Sequence, residues 1–186
     1  MKIFGITFGK NKAEAKQTTV QLYPRFKLQT NQGELVVELD RVKAPISVAN
    51  FENYVKSGFY NSTVFHRVIK GFMIQGGGLT SGLVVKYPQN APIQNESNNG
   101  LKNLKYTISM ARMNSLNSAT SQFFINTADN FSLDAKGGVA SGYAVFGKVI
   151  SGFDVVDTIE IVPTDESNGY DDAPTREVVI LNVTPV

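Results

Sequence analysis

FHRVIKGFMIQGG, Phe65 to Gly77, decides how this chain is read. It sets one arginine, Arg67, beside an amide, Gln75, and an apolar pair, Phe72 and Met73, on residues that favour strands. The run contains no serine, cysteine or carboxylate to act as nucleophile. The chemistry suggested is therefore rotation about a bond rather than its cleavage. Side chains alternate along a strand, which predicts Phe65, Arg67 and Ile69 on one face and His66 and Val68 on the other. Lys70-Gly71 breaks the run, after which Phe72 and Ile74 share a face and Met73 and Gln75 take the opposite one. A turn at that break brings Arg67 to the second segment. A plainer reading of the same pattern is a buried hairpin with an arginine capping its edge, because arginine is almost never fully buried unpaired.

Upstream, FKLQT and ELVVEL alternate around Asn31-Gln32-Gly33, a hairpin signal with glycine where positive φ is easiest. Pro45 opens a helix whose Val48, Phe51, Tyr54 and Val55 form one apolar stripe, and Gly58 ends it. Downstream, Gly78 to Asn103 is rich in Gly, Pro, Asn and Ser and reads as a long surface loop. Strand character returns in YTISMA, QFFIN and YAVFGKVI. A second helix, Gly152 to Glu160, is expected to turn Phe153, Val156 and Ile159 inward. An acidic loop with Asp165, Glu166, Asp171 and Asp172 precedes a last strand, REVVILNV. Many short strands, turn residues between them and two helices predict a mainly β chain, a closed antiparallel barrel capped by helices. Residues 1–24 lie outside this patterning and read as a loosely held arm, with the domain occupying 25–186.

Other chemistries fit poorly. Gly5 and Gly9-Lys10-Asn11 lack both the spacing and the hydroxyl of a phosphate loop. Gly76-Gly77-Gly78 opens no helix and reads as a turn allowing close backbone approach. His66 is the only histidine, which excludes multi-histidine metal sites. By alternation it points away from Arg67, as a structural or surface residue. The acidic loop lacks the calcium-loop pattern and reads as solvated.

The 186 residues suffice for one domain with its own core, and without cysteine neither disulfides nor thiol chemistry contribute. Eighteen Lys and Arg against sixteen Asp and Glu, spread without a basic run, give no indication of a nucleic-acid partner. No apolar stretch is long enough to span a bilayer, so no membrane partner is expected. The first residues make a poor leader, since the apolar piece is broken by Thr7 and glycines. A cytoplasmic location is expected, with a periplasmic one as the alternative if those residues are a shortened or cleaved leader.

FHRVIKGFMIQGGG, with SMA at Ser109 to Ala111, SATSQFFIN at Ser118 to Asn126 and GYAVFGKVI at Gly142 to Ile150, closely resembles the cyclophilin family of peptidyl-prolyl cis-trans isomerases. The similarity runs from about Phe26 to Val186. KSGFYNST at Lys56 to Thr63 and DVVDTI at Asp154 to Ile159 resemble the bacterial variety. The resemblance implies a closed eight-stranded antiparallel β-barrel capped by two helices. It also implies a groove outside the barrel for Xaa-Pro segments, an isomerase that assists protein folding, no cofactor and no metal. Its partners would be proline-containing peptides and unfolded or folding proteins. Nothing forces a dimer, and a monomer is expected. The alternative is a proline-peptide binding module or chaperone with little catalysis.

Position by position, Arg67 resembles the catalytic arginine, and Phe72, Met73 and Gln75 the residues of the next strand that border substrate. Ala111 resembles the small residue that lets peptide backbone approach. Gln122 matches the amide near the arginine, Phe124 the floor of the proline pocket and Leu133 a further wall, with His66 beside the groove. The family often carries Trp where this chain has Ser132, just after Phe131, and weak binding of cyclosporin is the consequence expected. Tyr143 replaces a frequent His, Lys70 stands in the usual VIPGF, and Arg112-Met113 replaces a smaller pair. Phe131, Ser132, Arg112 and Tyr143 complete the expected substrate-binding set.

Overall fold

The hairpin signal at Asn31-Gln32-Gly33 joins β1 (Arg25–Thr30) to β2 (Gly33–Leu39) in a computed structural model that describes residues 20–186. The Thr30 hydroxyl holds this turn, donating to the Gly33 carbonyl at 2.7 Å and accepting from the Gln32 amide at 3.0 Å. Most of the expected arm, residues 1–19, lies outside the described residues. After α1 (Pro45–Lys56) come β3 (Thr63–Ile69), β4 (Met73–Thr80), β5 (Val84–Val85), β6 (Thr107–Met110) and β7 (Phe123–Asn126). The chain continues through β8 (Val145–Ser151), α2 (Phe153–Glu160), β9 (Thr164–Ser167), β10 (Tyr170–Pro174) and β11 (Val178–Pro185).

Hydrogen bonding follows the order β3, β11, β1, β2, β8, β6, β7, β4, and a β3–β4 pairing closes the ring. The result is the expected eight-stranded barrel, every ladder antiparallel. β7 pairs with β4 from Met73 to Gly76, and two-residue β5 takes over at Leu79 and Thr80. Closure leaves the eight strands with few free edges.

Alternation sends Leu28, Leu35, Val37, Ile108, Phe123, Ile125 and Phe146 into one core. Val48, Phe51, Tyr54 and Val55 of α1 join it, as the stripe predicts. Phe51 lies at the centre of an aromatic group, its ring 5.0 to 5.7 Å from those of Tyr60, Phe26, Phe123 and Phe146. In α2 the buried residues are Val155, Val156 and Ile159. Phe153, expected inward, is instead 41% exposed and rests on Tyr106 with ring centroids 4.8 Å apart. At about 100° per residue it lies roughly 110° round the helix from the centre of the buried arc.

The stretch from Gly78 to Asn103 is not simply a surface loop. Its first three residues complete β4, and Ile93 bridges to Ala119. Asn95, Ser97 and Asn103 are buried. Asn95 donates to the Gly142 carbonyl at 2.9 Å, and the Ser97 hydroxyl accepts from the Gly142 amide at 3.0 Å. Short amide and hydroxyl side chains can stand in for backbone partners, so a polar segment is buried here with its hydrogen bonds satisfied.

Candidate active site

β3 and β4 pair with an irregularity between Phe65 and Arg67. Phe65 lies opposite Gly76 and Arg67 opposite Gln75, so two residues of β3 stand against one of β4. Such a bulge resets the alternation. Phe65 and Val68 both enter the barrel core, while Arg67 turns out to solvent with 44% of its side chain exposed. The shared face expected for Phe65 and Arg67 is therefore absent, and His66, expected to point away, lines the same hollow as Arg67. His66 is 4% exposed, and burial holds its imidazole down to about 4. A backbone contact to Val64 opposes that shift and the neighbouring Arg67 charge adds to it.

The glycine triplet makes the close approaches possible, but as strand rather than turn. A Cβ on Gly76 would stand 2.9 Å from the Val64 carbonyl oxygen, across the bulge. One on Gly78 would overlap the Gln122 side chain at 2.4 Å. That vacated space admits Gln122, whose Oε1 accepts from Gln75 Nε2 at 3.0 Å. The two amides form a polar strip beside Arg67.

On the outer face, β4 and β7 build a second apolar cluster of Met73, Ala111 and Phe124, with Ile69, Phe72, Leu133 and Tyr143 against it. The register sets Gln75 opposite Phe124 and Ser109 on its other side, which fixes the Phe124 ring on the groove face. Phe72 thus joins Met73 and not Ile74, whose side chain is in the barrel core. It precedes the strand, where alternation does not apply. The cluster floors a hollow of about 200 Å³ lined by Arg67, Phe72, Met73, Gln75, Ala111, Arg112, Phe124, Leu133 and Tyr143. Nine of the thirteen expected site residues meet there.

Of the other four, His66 and Gln122 line an adjoining hollow of about 330 Å³, which also includes Arg67 and Gln75. Phe131 and Ser132 line neither hollow. They sit exposed on a single turn of tight helix, Phe131–Leu133, from which Leu133 alone reaches the groove. Arg112 walls the groove, its guanidinium 4.5 Å from the Tyr143 ring and its three nitrogens donating to the carbonyls of Gly142, Met113 and Ser141.

Two contributions were not legible from spacing. An asparagine network fixes the groove from behind: Asn130 donates to the Phe72 carbonyl and to Asn126 Oδ1, both at 2.7 Å, and Asn103 Oδ1 accepts from Ser109 and Asn126. The abundance of asparagine was the available signal. The second is the acidic segment, which is not a free solvated loop but the β9–β10 hairpin. Asp172 Oδ2 stands 3.7 Å from Arg67 Nε, with 40% of the Asp172 side chain exposed. A long contact between two half-exposed groups is worth about 1 kcal/mol at most. Among the described residues the Arg67 guanidinium makes no hydrogen bond, and apart from the long Nε contact to Asp172 its donors are unspent beside the groove.

Among the described residues no three His, Asp or Glu side chains gather to hold a metal ion. A wider hollow, about 590 Å³, opens among the described residues beside Gln21, Tyr23 and Val186, but its one arginine, Arg25, is paired with Glu38 at 2.8 Å.

The family model described as cyclophilin type peptidyl-prolyl cis-trans isomerase/CLD matches residues 25–185. The chain is 54% identical over 153 residues to peptidyl-prolyl cis-trans isomerase A of Dickeya dadantii, covering 82% of this chain and 80% of that protein. It is 49% identical to peptidyl-prolyl cis-trans isomerase B of Escherichia coli, covering 83% and 95%. A crystal structure of a Cryptosporidium parvum cyclophilin type isomerase, determined in the presence of the dipeptide Ala-Pro, aligns with a TM-score of 0.74 at 32% identity, covering 87% and 98%.

Proposed function

The chain belongs to the cyclophilin-type peptidyl-prolyl cis-trans isomerases and catalyses rotation about Xaa-Pro bonds; from that premise we propose that Arg67 is the catalytic group, acting over the hollow floored by Phe124. The observation that carries this reading is a guanidinium held among the described residues only by one long Nε contact to Asp172, lining a pocket floored by Met73, Ala111 and Phe124.

Amide resonance opposes the rotation with a barrier of about 18 to 20 kcal/mol. Halfway through the twist the prolyl nitrogen regains its lone pair and becomes a hydrogen-bond acceptor, which the planar amide nitrogen is not. A cationic donor held near it binds the twisted form in preference to either planar form, and only such differential binding raises a rate. Arginine suits the task because it stays charged and its planar fork holds the carbonyl side while one N–H addresses the nitrogen. An acceleration of ~10⁵ requires about 7 kcal/mol. One charged hydrogen bond contributes about 1.5 to 3 kcal/mol.

The remainder falls to the pocket. Phe124, Met73, Phe72 and Leu133 bury the prolyl ring and hold it still, so that the chain preceding proline does the turning. Ala111, 9% exposed, leaves room for the substrate backbone. Gln75 and Gln122, already bonded to each other, orient the substrate beside Arg67. Proline-containing segments of unfolded or folding proteins are the natural clients on this reading, and the chain acts as a monomer. With Ser132 outside the hollow and no indole in the chain, cyclosporin binds weakly.

Exchange NMR on an Ala-Pro peptide tests the assignment. Arg67→Ala should lower kcat/KM at least tenfold while the melting temperature holds, and near-normal turnover by a folded Arg67→Ala protein would remove Arg67 from the role.

A further inference from the structure

The proline hollow does not end at Arg67. Arg67 and Gln75 form a shared wall, and beyond it the 330 Å³ hollow is closed on its far side by Tyr170 and Asp171 of the β9–β10 hairpin. The hairpin is held in place. Asn168 donates to the Gly82 carbonyl at 3.2 Å, and the Tyr170 ring meets His66 edge-on at 6.0 Å.

Three features of this second hollow select a ligand. Two carboxylates stand against the one cation in its wall, Arg67: Asp172 faces Arg67 at 3.7 Å, and Asp171 is exposed and pairs with no cation among the described residues. Its wall is partly apolar, from Leu79, Val85 and the Tyr170 ring, a surface suited to the methylene stem of a long side chain. His66, 4% exposed, lines it with an Nδ1 that has no hydrogen-bond partner among the described residues.

Resting on the function proposed above, we infer that the hollow between Arg67 and Asp171 is a specificity subsite for a lysine or arginine of the client close to the isomerised bond. The stem of that residue lies along Leu79, Val85 and Tyr170, and its cationic head meets the Asp171 carboxylate and the face of the tyrosine. The net charge of the chain is only +2, too small to steer such a client by its long-range field, so a preference for cations rests on the local carboxylates and the Tyr170 ring.

The test compares Xaa-Pro peptides carrying Lys, Gln or Glu at each residue flanking proline in turn, with kcat/KM read by exchange NMR at low ionic strength. At one of the flanks the Lys peptide should exceed the Glu peptide about fivefold, and 0.5 M salt should shrink that ratio. Asp171→Asn should bring the ratio to about one, and Asp171→Lys should invert it. A ratio near one or below it at both flanks in the unaltered protein overturns the inference, as does a Lys preference that survives Asp171→Asn. Turnover of the Gln peptide reports the isomerase reaction independently. If it proceeds while the ratio is flat, only the subsite is lost. If no peptide is turned over, the proposed function fails and the subsite with it.

Discussion

Phe123 and Phe124 are adjacent in β7 and nearly equally buried, at 0% and 3% exposure, yet they serve different clusters. Phe123 sits in the barrel interior against Phe51, Tyr60 and Phe65, with rings 5.5 to 6.1 Å apart. Phe124 sits on the outer face with Met73 and Ala111, its ring 5.7 Å from Tyr143. The pleat alone separates them. One strand thereby supplies the fold from one side and the groove from the other, and burial by itself does not distinguish a phenylalanine of the barrel interior from one that lines the groove.

The most severe way to probe this contrast is Phe123→Ala. Removing a fully enclosed ring should destabilise the protein by about 3 to 5 kcal/mol, seen as a lowered denaturant midpoint. A loss under about 1 kcal/mol would show the interior to be far looser than its packing indicates.

His66 lies on the seam between the two regions. Its imidazole titrates near 4 when folded and near 6.5 when unfolded, so between those values the unfolded chain binds the extra proton. The contribution is complete above about pH 7 and falls by about 3 kcal/mol as the pH drops to 4. Chemical denaturation from pH 7 to 4 should show that loss in the unaltered protein and a shallower one in His66→Gln. Equal slopes would mean that burial does not depress this group.

Phe124→Ala should separate function from fold. It opens onto a hollow that water can enter, so the expected loss of stability is smaller than for Phe123→Ala, while kcat/KM falls about tenfold, or about 1.4 kcal/mol. If stability and activity decline together as they do for Phe123→Ala, the outer cluster is part of the core. The mildest change is Ser132→Ala, outside both hollows, where kcat/KM should stay within about twofold; a larger drop would extend the substrate site over the Phe131–Leu133 turn.

Much of this was open to reading in advance. The α1 stripe, the hairpin at Asn31-Gln32-Gly33 and the alternation of Met73 and Gln75 against Ile74 needed only local periodicity, and each is found as read. The misreadings share a cause. The same alternation put Arg67 on the Phe65 face because a bulge cannot be counted from one strand; it exists only in the pairing of β3 with β4. Spacing alone predicts Phe153 inward, although the arc a helix buries is set by what packs on it.

The chain on its own determined the element types and a closed antiparallel barrel, since steric propensity and periodicity act over a few neighbouring positions, whereas the expected groove residues came from the family resemblance of its motifs. Tertiary structure alone decided that Arg67 faces outward, that Asn130 holds the Phe72 carbonyl, and that Asp172, more than a hundred positions along, stands beside Arg67. Those placements depend on register between distant strands and on where a hairpin docks. They follow from burial and hydrogen bonding summed over the whole molecule, which no short window of residues contains.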